Sequence, residues 1–263
     1  MRNIIYVIAA IAVVSSCGLD VDVYDQLTPY NALNTEDDVK TAVTGIYHEL
    51  RGGGWNAYNC AWGSLLTMQV GCTDECDCNW NWDVQMDFLW KAETADMGIF
   101  YNEMMPAVTK ATSLIERLKP VKISAPFKRQ CTAELRCLRA IWAYDLYDLY
   151  GPVTIVSDPG IALDPGAADA WQPERPSVEW YVGFVARELK ECQEHLKKAS
   201  ELSSSEYGRM TKGIAQMYLL KLFLHEAGQE MHYRSGNKDK AKIWWERVDS
   251  ITSVMQRENQ YSL

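Results

Sequence analysis

The sequence predicts a mostly α-helical protein, built from long consecutive helices with irregular loops between them. Two observations carry that expectation. Apolar residues recur at spacings of three and four along successive stretches between Thr35 and Arg257, which is the period of an amphipathic helix. Glycine and proline fall where those stretches break, at Gly52-Gly53-Gly54, Pro120 and Gly151-Pro152. At 263 residues and 48% hydrophobic composition the chain can bury one large core or two small ones, and nothing in it marks a linker.

Residues 1–16 read as an export signal rather than as part of the fold. A single Arg2, an apolar run over 4–14 and the sequence Val14-Ser15-Ser16-Cys17 form a bacterial lipoprotein signal. The apolar run is too short to cross a bilayer core of about 30 Å as a helix, whereas a short basic, apolar and small-residue order fits a cleaved segment. Cys17 is therefore the expected lipidation site and membrane anchor. The acidic, extended Gly18-Leu19-Asp20-Val21-Asp22-Val23-Tyr24-Asp25 that follows reads as a tether over 17–34.

The helical region begins at 35. Thr35 with Asp38 three residues on is a capping arrangement, and Val39, Ala42, Val43, Ile46, Tyr47 and Leu50 then share one face until the three glycines stop the helix. A second helix over 96–118 carries Phe100, Met104, Val108, Ala111, Ile115 and Leu118, with Pro106 expected to bend it and Pro120 to end it. A third, over 126–150, has Cys131, Leu135, Leu138, Trp142, Leu146 and Leu149 as its inward stripe, and Gly151-Pro152 closes it before a short extended run at 153–156. Residues 158–176 are rich in proline, glycine and alanine and read as a loop.

A fourth helix starts at Ser177, with a stripe of Val178, Val182, Val185, Leu189, Cys192, Leu196 and Ala199. A fifth covers 211–227 and a sixth 238–257. Consecutive helices of this kind resemble a helical-repeat array, and Ala215, Leu219 and Leu222, followed by Ala241, Trp244 and Val248, form a degenerate tetratricopeptide-like pattern.

Charge narrows the partners. After loss of residues 1–16 the chain keeps 25 basic and 35 acidic residues, a formal charge of −10. Such a chain, with no basic stripe interleaved with aromatics, lacks the footprint that drives phosphate binding, so nucleic acid is excluded; an uncharged ligand or a protein partner fits better. Beyond Cys17 seven cysteines remain. Cys72, Cys76 and Cys78 sit among Asp74, Glu75 and Asp77, but C-x3-C-x-C without a fourth ligand is a poor zinc pattern, and no metal is assigned. A disulfide within that cluster or with Cys60, or unpaired thiols, both remain open. Cys131 and Cys192 occupy apolar helical positions and read as small core residues.

Catalytic motifs are wanting. His225-Glu226 opens like a zinc-protease helix, but Gln229 stands where the second ligand is needed, and there is no G-x-S-x-G elbow. Gly52-Gly53-Gly54 lacks the Gly-Lys-Ser/Thr of a phosphate loop. The many acids leave only a carboxylate pair about 5–10 Å apart as an open hydrolytic route. No catalytic residue and no cofactor is assigned.

The candidate ligand surface is the segment between the first and second long helices. It holds Trp55, Tyr58, Trp62, Asn79, Trp80, Asn81, Trp82, Asp83 and Trp90, more indoles than covering a helix requires. A sugar ring offers a C–H face that stacks on flat aromatics and edge hydroxyls that bond to Asn and Asp, and Asn79-Trp80-Asn81-Trp82-Asp83 supplies both. In an extended segment Trp80 and Trp82 would point to the same side and make a platform. The alternative is that these indoles pack beneath their own loop. Trp244 and Trp245 lie on a helix and read as core or partner contacts. Arg136 and Arg139 read as partners of carboxylates rather than of ligand, and Gly208-Arg209 as a turn into the next helix.

Several segments, in order, resemble the SusD/RagB-like lipoproteins of the Bacteroidetes outer surface. Cys17-Gly18-Leu19-Asp20 and Thr44-Gly45-Ile46-Tyr47 are similar to the family's opening landmarks, as is the helix from Phe100-Tyr101-Asn102 through Ile115. Ala133-Glu134-Leu135-Arg136-Cys137-Leu138-Arg139-Ala140, running into Tyr144-Asp145-Leu146-Tyr147-Asp148-Leu149-Tyr150-Gly151-Pro152-Val153, resembles the family's AExRFLRA…YFDLxxLYGxVP block, with Cys137 and Thr154 as departures. Arg175-Pro176-Ser177, Gly208-Arg209-Met210-Thr211-Lys212 and Tyr261-Ser262-Leu263 match later landmarks. Family members commonly run to about twice this length, so 35–263 resembles an amino-terminal half.

The resemblance implies a SusD-like fold of tetratricopeptide-like repeats and a surface-exposed lipoprotein in the outer membrane. Such a protein would bind an extracellular nutrient, an oligosaccharide above all, and deliver it to a SusC-like TonB-dependent transporter. The rival expectation is a helical protein–protein interaction module without a ligand site of its own.

Overall fold

The structure, a computed structural model, describes residues 32–51, 65–71, 73–75, 89, 91 and 95–258. Contacts divide the chain into Met1–Leu33 and Asn34–Leu263, and every described helix belongs to the second unit. Helix α1 (Glu36–Arg51) starts at the expected cap: the Asp38 N–H donates to Thr35 Oγ1 at 3.1 Å, and the Asp38 carboxylate accepts from the Thr35 N–H at 2.8 Å. This reciprocal box satisfies backbone groups that the first turn leaves orphaned. Its hydrogen bonds hold the Asp38 carboxyl below the usual range. Val39 and Val43 bury the predicted face.

Short α2 (Leu65–Val70) precedes α3 (Ala95–Leu118), which contains Pro106, and α4 (Ala125–Tyr150). Gly151 ends α4 at φ +73°, where a side chain would be strained, and its N–H donates to the Tyr147 carbonyl at 2.9 Å.

The expectation of a single inward stripe on α4 needs correction. Between Cys131 and Tyr147 every residue except Thr132 and Arg136 is buried, while Leu149, assigned inward, is only half-buried. The reason is position: α4 packs against α3 and α7 on its main flanks and against α1 and α8 as well, so polar Glu134, Arg139 and Asp145 go inside with the leucines. Trp142 is fully enclosed.

After α4 the run at 153–156 forms no strand, and no strand occurs among the described residues. Val153, Ile155 and Val156 are nevertheless buried, and Thr112 Oγ1 donates to the Val156 carbonyl at 2.9 Å. Residues 158–176, expected as loop, contain two short helices, α5 (Pro159–Leu163) and α6 (Pro165–Ala170). The cause is a repeated Asp-Pro-Gly. Asp158 Oδ1 accepts from the Gly160 N–H at 2.8 Å and Asp164 Oδ1 from the Gly166 N–H at 2.9 Å, with proline preset for the first helical position each time.

Helix α7 (Val178–Cys192) is capped by Ser177, whose hydroxyl accepts from the Trp180 backbone N–H at 3.1 Å. It buries Val182, Val185, Leu189 and Cys192, but stops there, so Leu196 reaches the core from a turn and Ala199 lies in a 3-10 segment. Thr211 caps α8 (Lys212–Gln229), which runs into a single π-helical turn, Glu230–Arg234, before α9 (Lys238–Glu258). Successive elements pack as neighbours, α3 on α4, α4 on α7, α7 on α8 and α8 on α9, which is the helical-repeat arrangement expected from the apolar periodicity. No described helix is long and apolar enough to cross a membrane.

Candidate functional site

Cys17, Trp55, Trp62, Asn79, Trp80, Asn81, Trp82 and Asp83 lie outside the described residues, as do Tyr58, Trp90, Cys60, Cys72, Cys76 and Cys78. Side-chain contacts join the helices on either side of the tryptophan-rich segment in the sequence. Leu65 and Met68 of α2 are buried, Gln69 Nε2 donates to Asp148 Oδ2 of α4 at 2.9 Å, and Lys110 of α3 pairs with Glu49 of α1 at 2.7 Å.

Three buried glutamates organise the polar interior around α4. Glu134 accepts from Tyr47 Oη at 2.8 Å, Gln130 Nε2 at 3.1 Å and Arg209 Nε at 2.9 Å, while Tyr47 Oη accepts the Met210 N–H at 2.7 Å. Gly208, at φ +91°, makes the turn that brings Arg209 to this point. Glu188 of α7 receives Arg136 at 2.7 Å and also Arg139, whose Nη1 donates to Thr112 at 3.1 Å; Arg136 reaches Glu191 at 2.6 Å as well. Burial alone would raise the Glu188 pKa, but the Arg139 charge and the bonds from Arg136 outweigh it and lower it.

Glu226 of α8 accepts from Tyr147 Oη at 2.7 Å, His225 Nδ1 at 3.2 Å and Arg234 Nη1 at 2.6 Å. Burial opposes its charge, yet these donors bring its pKa down to about 2. The π-helical turn carries Arg234 back over α8 to reach it. His225 is thus a partner of Glu226, and its Nε2 lies 3.6 Å from Asp148. Arg136 and Arg139 serve carboxylates, as the sequence suggests. Each of the three glutamates has an arginine, which compensates its charge inside the scaffold.

The core cysteines follow expectation: Cys131 and Cys192 are buried free thiols, as is Cys137. A hydrogen bond to Cys192, together with burial, pushes the Cys137 thiol up. Trp244 packs beside Phe223 with the Arg247 guanidinium 4.2 Å from its ring centroid, and Trp245 on α9 is exposed. A cleft of ≈ 510 Å³ opens where α7, the end of α8 and α9 meet, with Trp244 and the Glu226–Arg234 pair in its wall.

A smaller cleft of ≈ 240 Å³ holds two indoles that the sequence reading does not single out, Trp171 and Trp180. Trp180 has a legible signal: two residues after Val178, it falls off the α7 apolar stripe. Trp171 has none, because only the Asp-Pro-Gly helices bring it alongside.

No protein-family profile and no curated protein sequence matches the chain. Solved structures do match. A laminarin-binding SusD-like protein superposes with a TM-score of 0.59 over 82% of this chain and 44% of its own, at 16% identity. The fold is SusD-like. A SusD homolog from Bacteroides thetaiotaomicron matches with a TM-score of 0.70 at 15% identity, covering 89% of this chain and 43% of that one. Surface glycan-binding protein A of the same organism, solved with laminarihexaose, matches at 0.55 and 15%, covering 82% and 43%. The chain spans less than half the length of these structures. Within the SusD-like fold, the segments that carry the sequence resemblance meet one another: Tyr47, Glu134 and Arg209 come from three separate motifs and form one hydrogen-bonded knot.

Proposed function

We propose that this chain is a lipid-anchored outer-membrane surface protein that captures an extracellular oligosaccharide and passes it, chemically unchanged, to a SusC-like TonB-dependent transporter. The SusD-like fold carries the reading, since it is shared with proteins named for binding laminarin and surface glycans. Two sequence features give it detail. Cys17 supplies the anchor, and Asn79-Trp80-Asn81-Trp82-Asp83, with Trp55 and Trp62, supplies stacking faces and hydrogen-bonding edges on a segment between helices α1 and α3 in the sequence.

The test is native electrophoresis through gels containing laminarin, starch or xylan. Retardation of the wild type by one of these polysaccharides, lost in a Trp80→Ala, Trp82→Ala double variant that keeps its helical circular dichroism, supports capture. A second reading, an interaction module without a ligand site, draws on the exposed Ile243 and Trp245 of α9. A folded chain that binds the transporter and is retarded by no glycan selects it.

A further inference from the structure

We infer that the cleft formed by residues 154–158, Ile161 of α5, residues 171–176 and Trp180 of α7 is a second sugar-binding subsite, which seats one neutral pyranose ring on Trp180. It rests on the capture reading above and draws on residues other than those of the tryptophan-rich segment.

Val182, Val185 and Leu189 give α7 its core face, whereas Trp180 lies off that face and is 45% exposed, so part of the indole meets solvent. Its plane is nonetheless fixed. One face lies on Phe184 with centroids 5.6 Å apart and planes 7° from parallel, and Phe184 is buried with the Arg139 guanidinium 5.5 Å from its own centroid. The Trp180 backbone N–H is tied to the Ser177 cap at 3.1 Å. A platform held in this way loses little side-chain freedom when a ring settles on it.

The surroundings suit the edges of a sugar. Trp171 lines the same cleft, with Thr154, Ser157, Asp158 and Glu174 among its wall residues; the Thr154 hydroxyl donates to the Glu174 carbonyl at 3.5 Å and one Asp158 oxygen caps Gly160. No lysine or arginine is among the described lining residues, which selects a neutral ring over a uronic or sulfated one. The loop is braced, since Arg175 Nη2 donates to the Tyr150 carbonyl at 3.0 Å and each Asp-Pro-Gly closes on itself. At ≈ 240 Å³ the cleft is smaller than the about 300–1,000 Å³ of sites that enclose a drug-sized ligand. One ring fits it, with the rest of the oligosaccharide running out along the surface.

The experiment is a titration of ¹⁵N-labelled protein with laminarihexaose, cellohexaose and maltohexaose, reading the indole N–H resonances after assignment by single Trp→Phe variants. The expected result is a saturable movement of the Trp171 and Trp180 resonances with at least one sugar, and an affinity reduced about three- to tenfold by Trp180→Ala, the loss of one aromatic stacking contact. Trp180→Phe should retain part of the binding, and unchanged helical dichroism shows that either variant folds. Movement confined to other indoles, or an affinity unaltered by Trp180→Ala, overturns the subsite and leaves capture standing. No movement of any indole in the folded protein with all three sugars overturns both.

Discussion

Glu134, Glu188 and Glu226 are each at most 3% exposed, and each is tolerable only because an arginine reaches it. Removing one partner of such a pair leaves a buried charge and costs about 3–5 kcal/mol, whereas replacing both with apolar groups is often close to neutral. Arg139→Met should therefore lower the free energy of urea unfolding by about 3 kcal/mol, near the small end of that range because Arg136 still serves Glu188. The double variant Arg139→Met, Glu188→Leu should lose less than the single one. Glu226 makes a pH prediction. Its pKa falls from 4.5 in the unfolded chain to about 2 in the fold, so the stability it contributes is complete above about 4.5 and disappears as the pH drops towards 2. The difference corresponds to roughly 3 kcal/mol at neutral pH, at about 1.36 kcal/mol per unit. Glu226→Gln should flatten the stability profile measured by denaturant unfolding between pH 4.5 and 2, leaving the slope that the other acids contribute.

Among the helices, α1 is held to the repeat array by more than its apolar face. Tyr47 Oη both donates to Glu134 and accepts from the Met210 N–H, so Tyr47→Phe leaves the amide of buried Met210 without that partner and should cost about 1–3 kcal/mol in thermal or denaturant unfolding. A Tyr47→Phe variant as stable as the wild type would show that the knot is decorative. The helices are legible in the sequence because each is amphipathic: the Thr35–Asp38 box, the α3 stripe and the Ser177 and Thr211 caps are local signals that need no tertiary knowledge. What neighbours impose is not legible there. The burial of Glu134, Arg139 and Asp145 on α4 comes from the four helices packed against it, and the π-helical turn at Glu230–Arg234 comes with the bond that Arg234 makes to Glu226. The Asp-Pro-Gly helices at 158–166 are readable in principle, since an aspartate cap before proline is a helix start wherever it occurs.

Across the molecule, the order of motifs carries further than any one of them. Thr44-Gly45-Ile46-Tyr47, the Glu134 block and Gly208-Arg209 lie far apart in sequence and meet in space, which is why their joint presence points to one fold. The candidate site is legible only as composition. A density of indoles with Asn and Asp marks a sugar-facing chemistry, but which indoles form a surface depends on how loops are carried by the helices, and Trp171 illustrates this. On the reading proposed here, the SusD-like scaffold captures a glycan and leaves it intact. Equilibrium dialysis of the purified protein against laminarihexaose, cellohexaose and maltohexaose, with the chain length of the recovered sugar read by mass spectrometry, tests both halves of that statement at once. Capture without cleavage predicts a saturable excess of at least one hexasaccharide on the protein side, recovered at full length; equal concentrations across the membrane for all three, or shorter products, would contradict it.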